Sequence, residues 1–300
     1  MQKKAFTLLE MIFVVVISGV LAMGSFKAMQ ALYIRSAKAN AITDMTLRSQ
    51  IVLDQIGVML YNRVPNSVIG SSPGCEAITD VTTTHHVLEW LGTMDDELIN
   101  RDYDGFIDIE KSDKSNNTLD TPKISLADNP DINLIFSGAF DDGSLSVKAC
   151  EGAFGFHNSN NDLSYDVTLK SDKIEITDSV QPKNIYEKYY LTKTAYAITR
   201  GDELSQSDLE NNCNSGNYKF PTDVNFTTTL FLFYGYQPYQ GETYCGDSSG
   251  TRDGNVSILA ENVIGFEALY ENDAIRLKLD MNKDIRGSSS VHISKQKVVF

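Results

Sequence analysis

Two lysines, Lys3 and Lys4, are followed by an apolar run that reaches Phe26 and is broken by a single acid, Glu10. As a helix, a run of this length crosses a hydrocarbon core about 30 Å thick. Basic residues stay on the cytoplasmic side, so everything after the run is expected to lie outside the inner membrane. The expected arrangement is an anchored helix carrying an extracytoplasmic body.

Glu10 is the residue out of place. A carboxylate inside a membrane is costly and needs a partner, which makes it a functional residue by default. No basic side chain lies between residues 5 and 26. A positive partner does arise if the chain is cut before Phe6, because cleavage creates an α-amino group. That amine and Glu10 are four residues apart, on one helix face, and can pair within a chain or between adjacent chains.

The segment Lys4-Ala5-Phe6-Thr7-Leu8-Leu9-Glu10 resembles the class III leader of type IV prepilins and type II secretion pseudopilins. The resemblance implies a leader of residues 1–5 ending at Ala5, removed by a prepilin peptidase. It implies Phe6 as the new, methylated terminus and Glu10 as the acid that pairs with a neighbouring subunit. Most family members carry Gly where this chain has Ala5. An ordinary signal peptide or anchor is the alternative, but such segments rarely keep an acid this early in the apolar run.

From Phe26 onward, Phe26, Met29, Tyr33, Ala37, Ala41, Met45, Ile51, Ile56 and Met59 recur near helical spacing. No proline precedes Pro65, so one helix is expected over residues 6–62, membrane-spanning to about residue 26 and amphipathic beyond. Residues 62–84 read as a loop and His86 to Leu98 as a short helix, followed by a polar stretch to residue 131. The remainder reads as short strands: Ile132–Phe140, Leu145–Ala149, Tyr165–Leu169, Lys173–Ile176, Ile185–Thr199 and Thr227–Tyr236. In Ile275 to Asp280, apolar and charged residues alternate as in a half-buried strand, and Val291–Phe300 closes the chain. The expected fold is α+β, a long N-terminal helix packed on an antiparallel β-sheet body of residues 63–300. Two further segments resemble J-type minor pseudopilins and W-type minor pilins. Ile258 to Tyr270 is similar to their helix-to-strand segment, and Leu230 to Glu242 to an earlier strand.

A net charge of −14 argues against a nucleic-acid-binding body. Cys75, Cys150, Cys213 and Cys245 all fall on the oxidising side and allow three pairings, of which sequence order favours Cys75–Cys150 and Cys213–Cys245. No C-x-x-C spacing points to zinc or redox chemistry.

Two motifs suggest chemistry. Asp102, Asp104, Gly105 and Asp108 follow the opening pattern of a calcium loop, but Lys111 stands where the bidentate Glu belongs, which favours an Asp/Gly turn. Gly246-Asp247-Ser248-Ser249-Gly250 matches G-x-S-x-G, yet Cys245 precedes it and a polar run follows, so a disulfide-anchored turn is expected there. His85, His86, His157 and His292 sit in no recognisable triad segment, and the chain is not expected to be an enzyme. The expected role is a structural one, a minor pilin or pseudopilin at a priming or tip position. Its partners would be other pilin subunits, the peptidase and an inner-membrane assembly platform. The alternative is a signal-anchored periplasmic binding module or adhesin, with Ca2+ as the one cofactor to consider. Cleavage before Phe6 separates the two.

Overall fold

A computed structural model describes residues 7–72, 74–128, 131–141, 150, 153–179, 181–204, 223–244, 254–285 and 290–300. It opens with α1, Leu8–Tyr61, an unbroken helix of 54 residues. A capping box starts it, with Thr7 and Glu10 satisfying each other's backbone N–H groups. At the other end the Asn62 N–H still reaches the Val58 carbonyl, and Pro65 follows shortly after. The helix therefore runs as the spacing predicts.

The body is built of short antiparallel strands. The first are β1 (Ile69–Ser71), β2 (Cys75–Ala77) and β3 (Val87–Gly92), followed by a one-turn helix α2 (Asp95–Ile99). Next come β4 (Asp108–Asp113), β5 (Thr118–Asp120), β6 (Asn133–Phe136), β7 (Ser164–Lys170), β8 (Lys173–Ile176) and β9 (Tyr189–Thr192). The chain continues through β10 (Thr194–Arg200), β11 (Leu230–Tyr236), β12 (Asn255–Ala260), β13 (Val263–Glu271), β14 (Ala274–Lys283) and β15 (Val291–Val299). They form a central sheet in the order β12-β11-β10-β3-β1-β2, a second in the order β4-β5-β8-β7-β6-β9, and a third, β13-β14-β15. The architecture is α+β, as the order of elements implies.

The central sheet is covered on both faces. Successive side chains on a strand point to opposite sides. On β3, Val87 and Leu91 join a core shared with Leu134, Phe136 and Leu191 of the second sheet. Leu88 and Trp90 join the other core, which holds Met45, Leu53, Ile56 and Leu60 of α1 with Leu277 and Leu279 of the third sheet. The helix thus lies over the central and third sheets, while the second sheet closes the opposite face.

This double coverage explains the main departure from the sequence reading. Residues 87–92 form a strand, not a helix, because a strand buried on both faces carries no alternation to mark it. The expected helix overlaps the observed α2, Asp95–Ile99, only from residue 95 to residue 98. The stretch 62–84 contains the short strands β1 and β2. Residues 258–260 belong to β12 and not to a helix leading into β13. Leu145–Ala149 lies outside the described residues.

Candidate functional site

The first half of α1 has nothing packed on it. Every residue from Thr7 to Tyr33 is exposed, including Phe13 at 59% and Phe26 at 71%. Its mean hydropathy reaches 2.2 over an 18-residue window, and the helix is long enough to cross a membrane. Among the described residues, Glu10 stands at the very start of this surface. The Thr7 N–H and hydroxyl donate to Glu10 Oε2 at 2.9 and 3.0 Å, and the Glu10 N–H donates to Thr7 Oγ1 at 3.4 Å. These neutral donors hold the carboxylate at the helix terminus without neutralising it. Ala5 and Phe6 lie outside the described residues.

The second half of α1 has two apolar faces. One, with Met45, Val52, Leu53, Ile56 and Leu60, is buried in the body. On the other, Leu47, Ile51, Val58 and Tyr61 are all more than half exposed. Tyr33, Leu47 and Tyr61 fall on one face at a spacing of fourteen residues, with the polar Asn40 and Asp54 at the positions between them, so the exposed apolar residues on this face are interrupted rather than continuous. Lys297 Nζ pairs with Asp54 Oδ1 at 2.6 Å, and Lys283 with Asp44 at 3.5 Å, tying α1 to β15 and β14.

The carboxylates of the candidate calcium loop, which the sequence reads as an Asp/Gly turn, are held by separate partners. Asp102 Oδ1 accepts from the Ser125 hydroxyl, and Asp104 Oδ1 from the Phe106 N–H and the Thr121 hydroxyl. Asp108 Oδ2 pairs with Lys111 Nζ at 2.8 Å, and that hydrogen bond holds the Asp108 carboxyl below its ordinary range. The lysine in the twelfth position thus takes up an acid that a cation would need. Among the described residues, no group of three or more His, Cys, Asp or Glu side chains is placed to hold a metal.

Cys75 on β2 is bonded to Cys150, as sequence order favours. Cys213 and Cys245, and the motif Gly246–Gly250, lie outside the described residues. The histidines are dispersed. His85 Nδ1 accepts from the Thr82 N–H, His86 faces Glu203 at 3.4 Å, and His292 pairs with Asn282 across β14 and β15.

His157 belongs to a cluster that sequence reasoning missed. Glu89 is 1% exposed in the middle of β3. Its Oε1 accepts from the Ser71 hydroxyl at 2.5 Å and faces His157 Nε2 at 2.7 Å, and its Oε2 accepts from the Tyr236 hydroxyl at 2.8 Å. Burial pushes the Glu89 carboxyl up. The charge of His157 and the hydrogen bonds from His157, Ser71 and Tyr236 together outweigh it, leaving the carboxyl below its ordinary value. Glu89 in turn raises the His157 imidazole, against the opposing effect of burial. The group joins β1, β3, β11 and the turn after Gly155, so it serves as a structural tie. The signal was an acid set inside Val87-Leu88-Glu89-Trp90-Leu91.

Residues 1–26 match the family described as the prokaryotic N-terminal methylation motif, which supports a type IV pilin-like leader. No curated protein and no solved structure matches the chain. The motif and the apolar helix are consistent with a single-pass membrane anchor, and a leader of this type generally implies peptidase processing and assembly with other pilin-type subunits.

Proposed function

We propose that this chain is a minor pilin or pseudopilin: a precursor cut before Phe6, methylated there, and drawn from the inner membrane into a filament. The body would stand in the periplasm until assembly. The observation that carries the reading is the bare apolar half of α1 with Glu10 at its start. Lipid covers that surface in the precursor, and the helices of other subunits would cover it in a filament. Lipid tails are as apolar as leucine, so packing and polar pairing must drive the exchange. A Glu10 carboxylate bonded to a neighbour's Phe6 ammonium supplies such a pair, one that is cheaper in a dry environment than either charge alone.

The outward stripe of Leu47, Ile51, Val58 and Tyr61 extends the same argument beyond the membrane. A helix already buried along one face has no need of these residues for its own fold, and an adjacent helix would cover them. The body is larger than that of a typical major pilin, and among the described residues it carries two separate apolar cores. This bulk suits a low-copy priming or tip position better than a place in a close-packed shaft.

Intact mass of the chain purified from membranes tests the reading. Loss of residues 1–5 with one added methyl group is the expected result. An uncut terminus in cells with active peptidase would support an anchored binding module instead.

A further inference from the structure

The apolar run of α1 ends at Phe26, and the charged residues that follow it are of one sign. Between Glu10 and Asp44 they are Lys27, Arg35 and Lys38, in a chain of net charge −14. With the run spanning the inner membrane, all three lie on its outer side, against the tendency of basic residues to stay cytoplasmic. Lys27 and Arg35 are exposed and Lys38 is half-buried. Among the described residues, no acid pairs with Lys27 or Arg35. The next acid along the helix, Asp44, is held by Arg48 at 2.9 Å and by Lys283 at 3.5 Å.

At 3.6 residues per turn, the three cations fall within about 80° of one another around the helix. The same sector, further along, holds Met45, Ser49, Val52 and Ile56, which are buried against the body. The cations therefore point beneath the body and not away from it. The body comes down to their level, because Lys283, Asp284 and Ile285, at the end of β14 and just past it, line a cavity with Tyr33 and Ala37. Counted from Thr7 at 1.5 Å per residue, Lys27 stands about 30 Å along, at the outer edge of the hydrocarbon, and Arg35 about 12 Å further. Headgroups extend about 5–7 Å beyond the hydrocarbon on each side. Helical side chains lean back toward the N-terminus, here toward the membrane, so an arginine at that height reaches the headgroup layer. Tyr33, exposed at the same level, is of the residue type that settles in that layer.

We propose that this basic face binds the phosphates of anionic phospholipids in the outer leaflet of the inner membrane, and so holds the body over the bilayer. Phosphate oxygens accept charge-assisted hydrogen bonds from both guanidinium and ammonium groups. Lys27 would lay its stem along the acyl chains and keep its head among the phosphates. An acidic body is repelled by an anionic surface unless cations stand between them. The exposed Asp284 is one acid at this level against three cations on the helix. Lipid is the neighbour this face meets as soon as the chain inserts, whereas an acidic protein would have to enter beneath the body. This binding rests on α1 spanning the membrane, and not on cleavage before Phe6.

The test reconstitutes the full chain in phosphatidylcholine vesicles and compares spin-labelled phosphatidylglycerol with spin-labelled phosphatidylcholine, by the fraction of each label immobilised at the protein. Wild type should prefer phosphatidylglycerol, and salt of about 1 M, where the screening length falls to about 3 Å, should weaken that preference. The double variant Lys27→Gln with Arg35→Gln should lose at least half of it. One cation near an anionic surface is worth about fivefold, and Lys3 and Lys4, which remain, dilute the loss. Lys27→Arg with Arg35→Lys should keep the preference. Both positions are exposed on a continuous helix, so neither variant threatens the fold. Equal immobilisation of the two lipids would overturn the proposal. So would a preference unchanged in the glutamine variant, which would place the selectivity elsewhere, at Lys3 and Lys4. If the glutamine variant instead loses crosslinks to an acidic protein while its lipid preference stays, the face belongs to that partner and the proposal fails. Chain that does not float with the vesicles would overturn the membrane span and this binding together. Intact mass reports cleavage before Phe6 separately, so failure of the pilin reading and failure of lipid binding are distinguishable.

Discussion

His157 Nε2 lies 2.7 Å from Glu89 Oε1, joining the turn after Gly155 to β3, a strand buried along its whole length. The pair makes stability depend on pH in a defined direction. The His157 pKa is raised from 6.5, so its contribution is full below that value and is lost as pH rises through the folded pKa. The Glu89 pKa is lowered from 4.5, so its contribution is full above that value and is lost as pH falls through the folded pKa. The two contributions overlap fully only between 4.5 and 6.5.

Removing His157 leaves Glu89 buried with only Ser71 and Tyr236 as partners. His157→Ala should destabilise the body by about 2 kcal/mol at pH 6, less than a fully buried pair costs because the histidine side chain is 31% exposed. The loss of stability above pH 6.5 should flatten in the variant. Urea melts at pH 6 and pH 8 measure both. Equal pH slopes in the two proteins would show that the pair does not titrate as the geometry requires.

The bond between Cys75 and Cys150 closes a long loop, with a sequence separation of 75. Replacing both cysteines with serine should cost about 2–4 kcal/mol, chiefly by freeing the unfolded chain. A thermal melt of the double variant without reductant isolates this bridge from any other. An unchanged Tm would mean that the bridge constrains nothing the fold needs.

The two faces of α1 should respond oppositely to substitution. Ile56 is fully buried, and Ile56→Ala should cost about 2–4 kcal/mol. Ile51 is more than half exposed, and Ile51→Gln should stay within about 0.5 kcal/mol of wild type. Ile51→Gln should nevertheless reduce crosslinking to other subunits. If it destabilises the isolated chain as much as Ile56→Ala, the outward stripe belongs to the chain's own fold.

Calcium should leave the Tm unchanged, because Asp102, Asp104 and Asp108 are each held by different partners. A rise with calcium that Asp104→Ala abolishes would reverse that conclusion.

The long helix was legible because helical spacing runs unbroken to Pro65, and because lysines, an apolar run and one acid have few other meanings. The antiparallel body was legible where apolar and charged residues alternate, as in Ile275 to Asp280, but not in β4 and β5, which read as a polar stretch. It failed at Val87–Gly92, where both faces are buried and apolar periodicity carries no period-two signal. It failed again at Ile69–Ser71, where Gly70 and Ser71 resemble turn residues. Glu89 could have been noticed as an acid within an apolar run, but Ser71, His157 and Tyr236 are distant in sequence and only the fold assembles them. The same holds for the cavity lined by Arg63 and Lys188 at the end of α1, whose walls come from five separate segments of the chain.

Recovery of Glu10→Val in filaments, or its crosslinking to other subunits, measured beside the fraction cut before Phe6, tests the central claim most directly. The cut lies on the other side of Phe6 from Glu10 in sequence, and removing a charge from the apolar run eases insertion. The variant should therefore insert and be processed as wild type is, yet fail to dock, because the neighbour's Phe6 ammonium would find no counter-charge. Assembly of Glu10→Val at the wild-type level would contradict the account, since Glu10 would then not be an assembly contact.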